Sequence, residues 1–274
     1  MNGAAMYAIF VQSFKETIRS KWLIMFAVVF FFLAFNLPLA TLAAFNFLPQ
    51  GYLSQFISTI ITVTFPLIPL LPLPLGATSI VEERESGFLQ YVLTTPIART
   101  QYLAARIIGL YIATTTIIVI GFGVAAIIAF RPSLSVLSVG YVVVASLVLN
   151  AAMLGIGMLV SVLSRRRATA LGASIFIWFV FTTISDSNVL APIFTMAHQI
   201  ILLIPFILLN PVESARLVVL AHGSYSVVDL GASGMAMGSV FGSSFPIVLA
   251  ITMSLWVVIT FAATFLIFMN QDIR

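Results

Sequence analysis

Long stretches without a formal charge recur along this chain, separated by short clusters of basic and acidic residues. Spanning about 30 Å of hydrocarbon takes ~20 helical residues, and runs near 22–45, 54–81, 107–130, 136–163, 168–186 and 245–269 meet that length or come close to it. They are continuously apolar instead of alternating. Backbone amides in hydrocarbon must be paired within the protein, which leaves only helices or closed barrels. The pattern therefore predicts an all-α, polytopic membrane protein with six transmembrane helices. The stretch 187–212 also lacks Asp, Glu, Lys and Arg, but it holds Pro192, His198, Gln199 and Pro205. It reads as a re-entrant or interfacial segment on the outer side, between spans five and six. The second run carries Pro66, Pro69, Pro72 and Pro74, and each proline removes a backbone donor. A kinked, pathway-lining hinge and an irregular static helix both fit that run.

Composition agrees with this pattern. Of 274 residues, 61% are hydrophobic and 7% charged, with a mean hydropathy of +1.18. Soluble domains run near a quarter charged, so lipid is the main solvent for this surface. The net charge of +4 does not point to nucleic acid, because the basic residues flank apolar runs and act as topology signals. The first run begins only at Trp22 and is too long for a cleaved signal peptide. With six spans and cytoplasmic termini, the inner segments carry Lys15, Arg19, Lys21, Arg84, Arg99, Arg106, Arg165, Arg166, Arg167 and Arg274. The outer segments carry only Arg131 and Arg216. This asymmetry predicts a multi-pass cell-membrane protein with both termini inside.

Residues 1–21 place Phe10, Phe14 and Ile18 at helical spacing, opposite Lys15, Glu16 and Arg19. That pattern predicts an amphipathic interfacial helix, the alternative being a simple extension of the first span. The densest charge lies in Glu82-Glu83-Arg84-Glu85, followed by Gly87 and then Thr94-Thr95-Pro96 and Arg99. Pro96 suits the first turn of a helix with Thr94 or Thr95 as its cap. The segment reads as a helix leaving the membrane, a turn, a surface helix and a second cap. Such an elbow suits docking to a soluble partner. A charged loop that merely fixes topology is the plainer reading.

In this order, the interfacial helix and "VEERESGFLQYVLTTPIAR" resemble the ABC type-2 exporter permeases, whose signature is an E-R-E-x-G-T-L-E-like helix followed by T-P-x-x-R. Glu83, Arg84, Glu85 and Gly87 match its first part and Thr95, Pro96 and Arg99 its second, while Phe88 and Gln90 depart from it. Asn210-Pro211 followed by Arg216 fits the outer segment of these proteins. The resemblance covers nearly the whole chain and implies one transmembrane domain over 1–274. It implies that the helix around Glu82 to Thr95 is a coupling helix contacting a separate ATP-binding subunit, which would hold the ATP and magnesium. It also implies a second permease copy, forming a homodimer around the pathway, and leaves room for a periplasmic or extracellular accessory protein. Within the family, the short chain and the run "LLNPVESARL" are most similar to the subgroup serving nitrous oxide reductase maturation, which is linked to copper-site assembly.

The remaining chemistry is sparse. A P-loop needs Gly-Lys-[Ser/Thr], and Lys15 and Lys21 are the only lysines, neither after glycine. ATP hydrolysis by that route is excluded, so the chain is expected to bind no cofactor or metal and to be no enzyme. His198 and His222 lack carboxylates at zinc-motif spacing. Met235 and Met237 suit soft Cu(I), although methionine more often fills gaps. Asp186, at the far end of span five, is the one acid placed to serve an ion path. Ala151, Gly155, Gly157 and Ser161 give the small-xxx-small spacing of close helix contact. A membrane scaffold or sensor that anchors a soluble partner without transport is the rival reading.

Overall fold

The computed structural model describes residues 3–45, 52–94, 97–128, 136–184, 200–222 and 227–271, and among them all regular structure is helical. In chain order the helices are α1 (Gly3–Ile18), α2 (Lys21–Phe45), α3 (Tyr52–Thr64), α4 (Pro72–Glu85), α5 (Phe88–Leu93), α6 (Arg99–Ile128) and α7 (Val136–Leu163). These are followed by α8 (Arg167–Phe179), α9 (Leu203–Leu209), α10 (Pro211–His222), α11 (Val227–Phe241) and α12 (Phe245–Asn270). Five segments are long and apolar enough to cross a membrane, or six if the bent pair α9–α10 counts as one. The expected fifth span is the short one. Its apolar helix covers Arg167–Thr183, about 25 Å at 1.5 Å per residue, and ends in a π-helical turn at Val180–Ile184. Asp186 lies outside the described residues.

Two expectations need correction. The third span starts at Arg99 instead of 107, so Arg106 sits inside a continuous helix and not in a loop. The N-terminal helix is separated from α2 by a break at Arg19–Ser20, with Ser20 Oγ accepting the Leu23 N–H at 3.2 Å. Its packed face is centred on Ser13 and Thr17, which are buried, while Ile18 is exposed. The face packed on α6 therefore lies beside the Phe10–Phe14–Ile18 line and not along it. The cause is α6: the backbone and Ser13 of α1 sit against Gly109, where a Cβ would meet Ser13 Cβ at 2.8 Å.

The proline-rich second span is broken. Phe65–Leu67 form a turn, Ile68–Leu70 a 3₁₀ turn, and α4 starts at Pro72. Pro72 is the first residue of α4, where the missing N–H is tolerated best. Pro74 also deprives the Leu70 carbonyl of its usual partner four residues on. The Trp22 indole N–H fills that place, donating to Leu70 O at 2.9 Å. Trp178 Nε1 donates to Pro66 O at 2.7 Å, and Trp256 Nε1 reaches Leu208 O at 3.4 Å beside the α9–α10 corner. All three tryptophans of the chain thus satisfy carbonyls at helix breaks, which is how hydrocarbon tolerates them.

Below the break α4 packs against α7 at very short range. A Cβ on Gly157 would lie 2.5 Å from Leu73 O, and one on Gly76 3.0 Å from Leu154 O. Ser161 Oγ accepts the Ile80 and Val81 N–H groups, both at 3.0 Å. On the next face of α7, a Cβ at Gly155 would collide with Thr260 of α12. The small-residue spacing in α7 therefore welds α4, α7 and α12 into one body.

Replacing Trp22 by Phe strands the Leu70 carbonyl and is expected to lower stability by about 1–3 kcal/mol. Pro74→Ala restores a donor to that carbonyl, so Trp22→Phe should cost less in the Pro74→Ala background. Denaturation of the four variants in micelles measures this; equal costs in both backgrounds would refute the pairing.

Candidate functional site

Consecutive helix residues point about 100° apart, so Glu82, Glu83, Arg84 and Glu85, in the last turn of α4, face four directions. Each meets a different neighbour. Glu83 points inward and is buried. Its Oε1 lies 3.1 Å from Arg106 Nη2, with side-chain exposures of 11% and 12%. Tyr102, one turn before Arg106 on the same face of α6, donates its hydroxyl to Glu83 Oε2. Arg106 Nη1 also donates to Glu16 Oε2 at 2.7 Å and Ser13 Oγ at 3.2 Å, residues one turn apart on α1. A single guanidinium thus joins α1, α4 and α6.

The other three residues tie down helix ends. Arg84 donates to Ser164 O at 3.2 Å and to Gln271 Oε1 at 2.7 Å. Gln271 Nε2 in turn donates to Val162 O at 2.9 Å. Those carbonyls belong to the last turn of α7 and the residue after it, where intrahelical donors run out and a cation is favoured. Arg99 does the same for α12, reaching Gln271 O at 3.0 Å and Met269 O at 3.3 Å. Glu82 pairs with Arg167 Nη1 at 2.7 Å, both about half-exposed. Glu85 Oε1 accepts the Arg167 N–H at 3.0 Å, placing a carboxylate at the N-terminus of α8, where negative charge is stabilised.

The elbow continues through Gly87, whose φ of +75° favours glycine, into the short helix α5. Leu89 anchors α5 in the core, whereas Phe88, Gln90, Tyr91 and Thr94 are exposed, Tyr91 at 70%. Thr95 and Pro96 lie outside the described residues. Lys15 on α1 and Arg19 just after it are exposed, with no salt bridge among the described residues.

At the far end of α8 lies a second polar group. Asn210 occupies the corner where α9 and α10 meet at 100°. Its Nδ2 donates to Phe181 O at 2.8 Å, and its Oδ1 accepts the Val212 N–H at 2.9 Å, an N-cap completed by Pro211 at the first helical position. The partly buried Arg216 pairs with buried Glu213 at 3.3 Å. Asn210, Glu213 and Arg216 border a crevice with Pro66, Thr62 and Phe181. Pro69, Pro72 and Pro74 are instead buried in the core. Met237 is buried and Met235 exposed, so they do not present two thioethers to one point. His222 stacks on Tyr141 at 4.5 Å between ring centroids; His198 lies outside the described residues.

The structure therefore brings Glu16, Glu82, Glu83, Arg84, Glu85 and Arg99 into one network. It leaves Asn210, Pro211 and Arg216 at the opposite end of the molecule. Sequence reasoning missed Arg106, Tyr102, Arg167 and Gln271. The i,i+4 spacing of Tyr102 and Arg106 was a usable signal only with α6 extended back to Arg99.

Three comparisons of sequence accompany this geometry. A family model described as "ABC-2 family transporter protein" matches residues 7–273. The chain is 26% identical over 272 residues to a protein of Stutzerimonas stutzeri named "Probable ABC transporter permease protein NosY", covering 95% of this chain and 96% of that one. It is also 26% identical over 215 residues to a protein of the same name from Pseudomonas aeruginosa, covering 76% and 78%.

Removing one member of the Glu83–Arg106 pair leaves a buried charge uncompensated, which costs about 3–5 kcal/mol. Glu83→Ala and Arg106→Ala are each expected to lose that much. The Glu83→Ala/Arg106→Ala double variant should lose clearly less than the sum. Additive losses in denaturation of the purified protein would show that the pair is not coupled.

Proposed function

Because the chain belongs to the ABC-2 family of transporter proteins and is the membrane-spanning permease subunit of an ABC transporter, we propose that the α4–α5 elbow receives the stroke of a separate ATP-binding subunit. The observation that carries this reading is the division of labour in the elbow. The charges of α4 are engaged by neighbouring helices, with Glu83 buried, whereas Phe88 and Tyr91 of α5 are exposed. Exposed Phe88 and Tyr91, whose rings lie 6.4 Å apart, supply apolar docking area beside Gln90. The partner binds ATP and magnesium, and no covalent chemistry falls to this chain. α5 is then the coupling helix, and the end bearing Lys15, Arg99 and Arg165–Arg167 is cytoplasmic. That orientation is favoured by the concentration of Lys and Arg there.

A push on α5 reaches the rest of the subunit through α4. Since α4 shares its hydrogen bonds and glycine contacts with α7, these helices and α12 move as a body. Motion is taken up at the Phe65–Leu71 break, with Pro66 and Pro69 at the hinge and the pathway beside it. The corner at Asn210 makes α9–α10 a re-entrant cap over the outer end, and α1 lies along the inner interface. Two copies, a homodimer, enclose the pathway. The run "LLNPVESARL" supports service in nitrous oxide reductase maturation, with a periplasmic accessory protein receiving the cargo.

Tyr91→Ala removes a side chain that is 70% exposed, and Phe88→Ala one that is 36% exposed. They are expected to abolish co-purification of the ATPase subunit while leaving thermal stability within about 0.5 kcal/mol. Full co-purification with the Phe88→Ala/Tyr91→Ala variant would contradict docking through α5.

A further inference from the structure

We propose that the cleft between α1, α2, α4 and α8 seats the headgroup of a zwitterionic phospholipid, phosphatidylethanolamine, from the leaflet level with the elbow. The cleft measures about 630 Å³, within the size range of sites that hold a small molecule. It lies where α2 begins, α4 ends and α8 begins, the depth at which lipid headgroups meet transmembrane helices.

Its charges select the ligand. Glu16, Glu82 and Glu83 line it against Lys21, Arg106 and Arg167, so the lining is electrically balanced and favours a ligand carrying both signs. Arg106 and Arg167 are held by Glu83, Glu16 and Glu82. Lys21 is exposed and has no salt bridge among the described residues. It is the cation left to meet a phosphate. Glu16 and Glu82 keep about half of their side-chain surface open, at 47% and 50%; Glu16 Oε1 accepts from Gln12 Nε2 at 2.8 Å, so Glu82 is the carboxylate more open to an ammonium. Leu75, Leu110 and Leu171 form an apolar wall suited to the glycerol and first acyl carbons. The Trp22 ring completes the lining, its N–H already committed to Leu70, as expected of an indole at a membrane interface. The three carboxylates share two guanidiniums, so a purely anionic lipid leaves one negative charge of the lining unmatched, and free phosphate leaves the apolar wall bare.

The assignment depends on the proposed function only for which leaflet supplies the lipid; binding itself requires no ATP. The test is native mass spectrometry of the full chain, with its ATPase partner where that co-purifies, titrated with palmitoyl-oleoyl phosphatidylethanolamine, the matching phosphatidylglycerol, or inorganic phosphate. One phosphatidylethanolamine should bind per chain in preference to phosphatidylglycerol. Lys21→Gln should weaken both lipids roughly fivefold, and Glu82→Gln only phosphatidylethanolamine. Lys15→Gln, outside the cleft, should change neither. Thr78→Trp fills the cleft without altering charge and should abolish the preference in protein of unchanged elution profile. Equal affinity for the two lipids, binding unaffected by Lys21→Gln and Thr78→Trp, or uptake of inorganic phosphate alone would overturn the proposal. So would a cross-link between residue 21 of two copies that displaces lipid, since it would mark the cleft as an interface between subunits.

Discussion

The last turn of α4 holds one end of this molecule together, and the buried Glu83–Arg106 pair is its centre. A carboxylate so placed is stable only while its partners stay in reach. Arg106 and Tyr102 from α6 therefore fix the position of α4, and through Glu16 that of α1. The neighbouring Arg84 and Glu85 use the same turn to cap the ends of α7 and the start of α8. One helical turn with four charged residues thereby sets the relative positions of five helices, and α12 is added through Gln271. Such a knot is poorly suited to being the docking surface itself. Its value lies in presenting α5 rigidly at its tip.

Rigidity at one end makes the proline-broken segment the compliant element. The carbonyls freed there are paired by Trp22 and Trp178, from α2 and α8, so the break is stable without continuous helix. Single side-chain hydrogen bonds re-form more readily than a helical ladder breaks. Above the break, no glycine contact like that of Gly76 with Gly157, which locks α4 to α7, is made by α3 among the described residues. On the proposed coupling role of α5, work delivered there is carried along α4 and α7 and spent at residues 65–71.

Much of this architecture was legible in the sequence. Apolar runs located the spans because hydrocarbon imposes a length and forbids unpaired backbone. The small residues of α7 announced a close contact, whereas the corner at Asn210-Pro211 was not foreseen. The role of the Glu82–Glu85 charges was not legible, since helical phase decides which of four adjacent residues points inward, and phase depends on where α4 starts after its prolines. Nor was the position of Arg106, because charge alone cannot distinguish a loop residue from one inside a helix end held by two carboxylates. The tryptophans were silent for a similar reason: an indole donor finds its partner only in three dimensions.

The central claim is that the inner knot moves as a unit and the break absorbs the motion. The chain has no cysteine, so spin labels can be placed at will in complexes carrying one labelled copy. Electron–electron distances are then measured for Gln90–Arg165, within the knot, and for Gln90–Thr62, across the break, with and without nucleotide on the ATPase subunit. The account predicts an unchanged distribution for the first pair and a shifted one for the second. A shift in Gln90–Arg165 with Gln90–Thr62 held constant would contradict it.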